Sequence, residues 1–290
     1  MRIKLLIIIL TIISLIPACS TPPKNPGDVF DIRKQAETHL ELGSRDADRG
    51  SFETALLKLD EAMKLAVAVD DPGLRIRVGL SRGNVLFSLD RSKEAEEAWN
   101  GALGEAERVG NSELAVVSRI HIAWGKVLLT ERADLPAAAQ SVRDEVSRDM
   151  SVIKDRYYTA FAWTIIGLAE KELGRYEPAE AAVRRALDIH EKDLYFELAA
   201  HDWFRIASFR SIAGNQHGAL QALESAIAFD RRVENSWGLA SDWQGMGIVY
   251  RHMGNAEASR AAYLRAAEIF KAFGSSEAAA ETLSRSESGL

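Results

Sequence analysis

The chain has 290 residues, 36 basic and 42 acidic side chains, 47% apolar residues and one cysteine. That length can bury a sizeable core, and the composition is globular rather than disordered. One cysteine excludes a disulfide framework and a thiolate zinc cluster, and a net charge of −6 argues against a nucleic-acid partner, which would meet a basic face.

Arg2 and Lys4 precede an apolar run from Leu5 to Ile16, broken only by Thr11 and Ser14. Such a run has the length of a signal-peptide core and falls short of the ~20 residues of a spanning helix. Ile16-Pro17-Ala18-Cys19 follows. These four residues resemble the lipobox of bacterial lipoproteins, with Pro17 a less usual occupant of the middle slot. The resemblance implies cleavage after residue 18 and a covalent lipid on Cys19, with no other cofactor expected. The same residues also fit an uncleaved anchor or an ordinary signal peptide. Ser20 stands where familiar lipoprotein sorting places Asp for inner-membrane retention, which implies the outer membrane, facing the periplasm. Residues 1–18 are therefore expected as signal peptide and 19–28, rich in proline, as a lipidated tether. Residues 29–290 are expected as the folded part.

The folded part repeats. Gly43, Gly83, Gly125, Gly167, Ala207 and Gly247 stand 40, 42, 42, 40 and 40 residues apart. Twelve residues after each come Ala55, Ala95, Ala137, Ala179, Ala219 and Ser259, and seven further come Ala62, Ala102, Asp144, Ala186, Ala226 and Ala266. Trp163, Trp203 and Trp243 precede the small position by four residues in the last three units. Gly50, Asp90, Gly174, Gly214 and Gly254 break the chain between. Each unit reads as two helices, since Trp243, Met246, Gly247 and Tyr250 share one face at helical spacing and Gly254-Asn255 ends that helix. Small residues at fixed positions let antiparallel helices approach closely. The spacing predicts an all-α solenoid of about six antiparallel hairpins with a short C-terminal capping helix from Ser275.

Trp243, Met246, Gly247, Tyr250, Ser259, Tyr263 and Ala266 resemble the tetratricopeptide repeat signature, as do Trp163, Ile166, Gly167, Ala179, Val183 and Ala186. The family's period is about 34 residues, so this chain resembles its extended members with longer helices. The third unit departs from the pattern, with Ser141 and Asp144 in packing slots, which implies a shifted or irregular second helix.

Motifs for catalysis are absent. There is no phosphate loop, no nucleophile elbow and no second zinc ligand four residues after His190. The six histidines are scattered, so no metal site and no enzyme is expected. The family resemblance implies a concave groove lined by the first helices. In its slots Arg77, Asn84, Arg119 and Lys126 fall at matching positions of adjacent units, beside Phe87 and Leu129. Cations beside an asparagine suit a carboxylate or another anion, or are solvated residues with internal acidic partners. Phe161, Leu168, Phe204, Ile212 and Ile248 make an apolar stretch in units four to six. The expected function is a membrane-anchored adaptor in the cell envelope, with a segment of another envelope protein in its groove. Lipoproteins it resembles serve in pilus assembly, outer-membrane protein insertion and cell-wall synthesis. A second reading is a module for an organic anion or lipid that works with a transporter, and a third is a purely structural spacer. The oligomeric state is left open.

Overall fold

The computed structural model describes residues 26–288. The apolar run, Cys19 and most of the tether lie outside the described residues. Thirteen α-helices follow one another, with no strand among the described residues: α1 (Pro26–Asp48), α2 (Phe52–Ala68), α3 (Pro72–Ser88), α4 (Ser92–Arg108), α5 (Ser112–Leu129), α6 (Leu135–Asp149), α7 (Arg156–Glu172), α8 (Tyr176–Lys192), α9 (Phe196–Ile212), α10 (Gln216–Arg232), α11 (Ser236–His252), α12 (Ala256–Ala272) and α13 (Ser276–Ser288). A single 3₁₀ turn, Met150–Val152, separates α6 from α7. Residues 26–28, expected as tether, belong to α1; a proline is well placed in a first helical turn, where no N–H is needed.

The first twelve helices pair into six hairpins and α13 caps the last, as the spacing predicts. Most of the turns are built one way. A residue with positive φ ends one helix, and the next residue caps the following helix. Asp71, Asn111, Asn215, Asn235 and Asn255 each accept a hydrogen bond from the backbone N–H three residues on, at 2.9–3.1 Å. The breakers Gly50, Asp90, Gly174, Gly214 and Gly254 all take the positive-φ position.

Within the hairpins the small positions do what their spacing implies. A methyl added at Gly43 would stand 2.9 Å from Leu59, at Gly167 2.6 Å from Val183, and at Gly247 2.9 Å from Tyr263. Each partner lies sixteen residues later, on the second helix of the same hairpin. The third repeat is the exception. Ser141 is exposed, and α6 buries Ala139, Val142 and Val146 instead. Gly125 is filled by the ring of Trp99 from the preceding repeat, which also lies against Gly83. The tryptophans of the last three repeats stay half-buried, Trp163 and Trp243 against the second helix of their own hairpins and Trp203 against α8 of the preceding one. Arg185, Arg184 and Arg265 cover Trp163, Trp203 and Trp243 at 4.3, 5.5 and 4.8 Å.

Six repeats bring the chain back on itself. Arg49, in the turn of the first hairpin, donates from Nη2 to the Val233 carbonyl at 2.9 Å, between α10 and α11. The Trp237 ring lies directly against Gly50, where φ is +71° and no Cβ would fit. Arg45 and Arg49 face Glu197 of α9 at 3.9 and 3.8 Å. The first repeat thereby meets the fifth and sixth across the concave surface.

Leu194 occupies the positive-φ position between α8 and α9, at φ +63° and 67% exposed, where neighbouring turns use glycine. A left-handed backbone costs a residue with a Cβ about 1–2 kcal/mol. Leu194→Gly should therefore raise the midpoint of thermal unfolding, with a gain near ~1 kcal/mol after the extra chain entropy of glycine; circular dichroism melts of the two proteins check it.

Candidate functional site

A cavity of about 690 Å³ lies inside the closed turn, lined by the first helices of the first five repeats. Leu40, Ser44 and Asp48 come from α1, Arg77, Ser81 and Asn84 from α3, and His121 from α5. Tyr157, Tyr158 and Phe161 come from α7, and Glu197 and Leu198 from α9 with Tyr195 just before it. Tyr157 meets Tyr158 and Tyr195 edge-on at 5.4 and 5.8 Å, so one wall is a continuous aromatic face.

Of the residues singled out from the sequence, Arg77, Asn84 and Phe161 line this cavity. Arg77 is half-buried, with Glu37 at 3.7 Å. The Asn84 amide oxygen accepts a hydrogen bond from Trp99 Nε1 at 3.2 Å. Phe161 stacks on His121 at 4.3 Å. Burial holds the His121 imidazole down at about 3, so it is a neutral ring in that stack.

Arg119, Lys126 and Phe87 are placed elsewhere. Arg119 lies 3.6 Å from Asp149 of α6, Lys126 is exposed, and Phe87 packs on Trp99 at 5.8 Å within the core of the second and third repeats. The matching slots of units two and three therefore do not converge on one patch. The shifted register of the third repeat leaves His121 as the residue of α5 in the cavity wall.

A second pocket of about 310 Å³ adjoins the first through Ala47 and Asp48. Phe204 lines it, together with His201, Arg205, Asp230, Trp237, Ser241 and Asp242. Asp230 and Asp242 are almost wholly buried, and both line this pocket. Burial is the main cause that pushes Asp242 up to about 9, with the neighbouring Asp230 charge adding to it. Burial likewise pushes Asp230 up to about 7 and, with Glu197, raises Asp48 to about 7. His201 is held down at about 4 by its enclosure and by Arg205. None of the three carboxylates was singled out from the sequence. The signal available was periodic: Asp230 stands forty residues after His190, and Asp242 forty after Asp202.

Residues 162–193, which take in most of α7 and all of α8, match the family model described as Tetratricopeptide repeat. No curated protein matches the chain. Among solved structures the chain is similar to a Rap protein complexed with Competence and Sporulation Factor, at 15% identity over 88% of this chain and 74% of that one, with a TM-score of 0.57. It is similar to the apo form of RapI, at 14% identity over 88% and 97%, with a TM-score of 0.50. A third likeness is to TTC0263, a thermophilic TPR protein of Thermus thermophilus, at 17% identity over 70% and 98%, with a TM-score of 0.50. The fold is a tetratricopeptide-like solenoid. At these identities the likeness concerns the fold alone. Among the described residues of this solenoid, no helix is long and apolar enough to cross a membrane.

The buried carboxylates give the solenoid a signed pH dependence. A carboxyl whose folded value is raised binds its proton more tightly folded than unfolded, so stability falls as pH rises towards the folded value. His121 and His201 act oppositely and only below their unfolded value of 6.5, because both are depressed. Between about pH 7 and about pH 9 Asp242 dominates. The urea midpoint should fall across that window, and Asp242→Asn should remove most of the fall.

Proposed function

We propose that this solenoid is a lipid-anchored adaptor of a bacterial cell envelope, holding a segment of a partner protein inside its closed turn. The observation that carries the reading is the cavity of about 690 Å³. It offers an aromatic wall for apolar side chains and, from Arg77, Asn84 and Ser81, polar groups for a backbone or a carboxylate. The Rap protein of similar fold has Competence and Sporulation Factor bound, which supports reading such a solenoid as a holder of a partner. The lipobox at Ile16-Pro17-Ala18-Cys19 and the charges at Arg2 and Lys4 support the anchor, and Ser20 supports the outer membrane. Attached acyl chains contribute ~0.8 kcal/mol per buried methylene, and two or more hold a protein on a bilayer without a spanning helix.

One observation favours the small-ligand reading. The volume of the cavity falls within the roughly 300–1,000 Å³ typical of small-ligand sites. An organic anion near Arg77 would stabilise the native state in proportion to its concentration, whereas a partner segment would be captured by crosslinking.

Two outcomes test the adaptor reading. Cys19→Ser should move the protein from the membrane to the soluble fraction and abolish incorporation of a clickable fatty acid; retention in both assays removes the anchor. In-cell crosslinking with affinity capture should then recover one dominant envelope protein. Ser81→Trp, which fills the cavity from α3, should reduce that capture about tenfold or more with helicity unchanged. Arg77→Glu should weaken it and Arg119→Glu, outside the cavity, should not. Capture that is indifferent to Ser81→Trp removes the cavity from the function.

A further inference from the structure

The junction between successive repeats is built twice with different chemistry. Between α8 and α9, His190 Nδ1 stands 2.7 Å from Asp202 Oδ2, and Arg205 Nη1 donates to Asp202 Oδ1 at 3.0 Å. Asp202 is wholly buried, and two cation-capable donors satisfy it. Forty residues on, between α10 and α11, Asp242 stands in the place of Asp202. Asp230 replaces His190 and Gly245 replaces Arg205. The acceptor is kept and both donors are gone.

What remains is an uncompensated pair. Asp230 Oδ1 accepts from Asn235 Nδ2 at 3.0 Å, but Asp242 Oδ2 is buried without a donor from any other described residue, on a side chain only 2% exposed. The groups that act on the two carboxyls are one another, Asn235 and Glu197, and no cation is among them. The pocket of about 310 Å³ opens on this pair. Asp48 reaches it from the first repeat as a third carboxylate, and the rings of Trp237 and Phe204 flank it. Arg205 also lines the pocket but is bound to Asp202, and His201 is neutral at physiological pH.

We infer that this pocket is a subsite for one cationic group supplied from outside the chain, the ammonium or guanidinium of a lysine or arginine side chain on the partner segment. The incoming charge takes the electrostatic place that His190 and Arg205 fill one repeat earlier. Two carboxylates and an aromatic flank suit a compact cation, and the pocket is of side-chain size. Because the two cavities meet at Ala47 and Asp48, a segment in the larger one can pass a side chain into the smaller. That a protein segment supplies the cation rests on the adaptor reading; the site itself does not.

Isothermal titration calorimetry of the intact chain in detergent, at about pH 7.5, tests the site with three probes: agmatine, N-acetyl-lysine methylamide and its neutral counterpart N-acetyl-norleucine methylamide. The two cations should bind and the neutral amide should not. Binding should release protons, read as a dependence of the heat on buffer ionisation enthalpy, since the cation displaces the proton that burial keeps on Asp242. Asp242→Asn should weaken cation binding about tenfold or more. Asp230→His, which installs the arrangement of the preceding junction, should abolish it while leaving the fold intact. Equal binding of the norleucine amide, no binding of either cation, or cation binding indifferent to both variants overturns the inference. If the cations fail to bind while capture through the larger cavity persists, this subsite falls and the adaptor reading stands. Cation binding without a captured partner upholds the subsite and removes the adaptor.

Discussion

Two antiparallel helices approach closely only where a side chain is small or missing, and this solenoid places glycine or alanine at that point in every repeat. Gly43, Gly167 and Gly247 each leave less than 3 Å between an added methyl and the facing Leu59, Val183 or Tyr263. The large partner enters the gap its opposite number leaves, which fixes how far apart and in what register the two helices lie. Once the hairpins share one shape, stacking them at intervals of 40 or 42 residues curves the stack steadily. The first helices all face inwards, and the cavity follows from repetition rather than from any single residue.

The third repeat shows what happens when the partner is absent. Position 141 carries serine where other repeats carry leucine, valine, tyrosine or tryptophan, and a serine cannot fill the gap at Gly125. Trp99 does so from the preceding repeat, wedged between Gly83 and Gly125 with Nε1 donating to the Leu80 carbonyl and to Asn84. Without its own partner, α6 rotates to bury Ala139, Val142 and Val146. The slots of α5 consequently lose register with those of α3. Arg119 meets Asp149 rather than the cavity, and His121 and Phe161, stacked on one another, stand in the cavity wall with buried Trp99 behind His121.

The hairpins were legible because everything that makes them is local and recurs. Small positions, turn breakers and capping asparagines act over sixteen residues or fewer, so six copies expose them. The acid pair was legible in principle from the same recurrence, by setting Asp230 against His190 and Gly245 against Arg205, but composition conceals it because carboxylates are common on helix surfaces. Closure of the solenoid was not legible. Gly50 reads as a helix breaker and Trp237 falls outside the tryptophan slot of the repeats. Their contact joins residues 187 apart in a chain of 290 and arises only from the accumulated rotation of stacked hairpins, which no segment of sequence encodes.

That closure is also the weakest joint, by the magnitudes of its parts. The hairpins are held by buried apolar faces, and filling or emptying a buried site costs several kcal/mol. The closing contact has one hydrogen bond from Arg49, the Trp237 ring on Gly50, and two ion pairs to Glu197 at 3.8 and 3.9 Å. Such partly exposed pairs are worth under ~1 kcal/mol each. Against them stands Asp48, a carboxyl that burial raises to about 7, so that ionising it opposes the contact. Separating the first repeat from the fifth and sixth therefore costs less than breaking any hairpin.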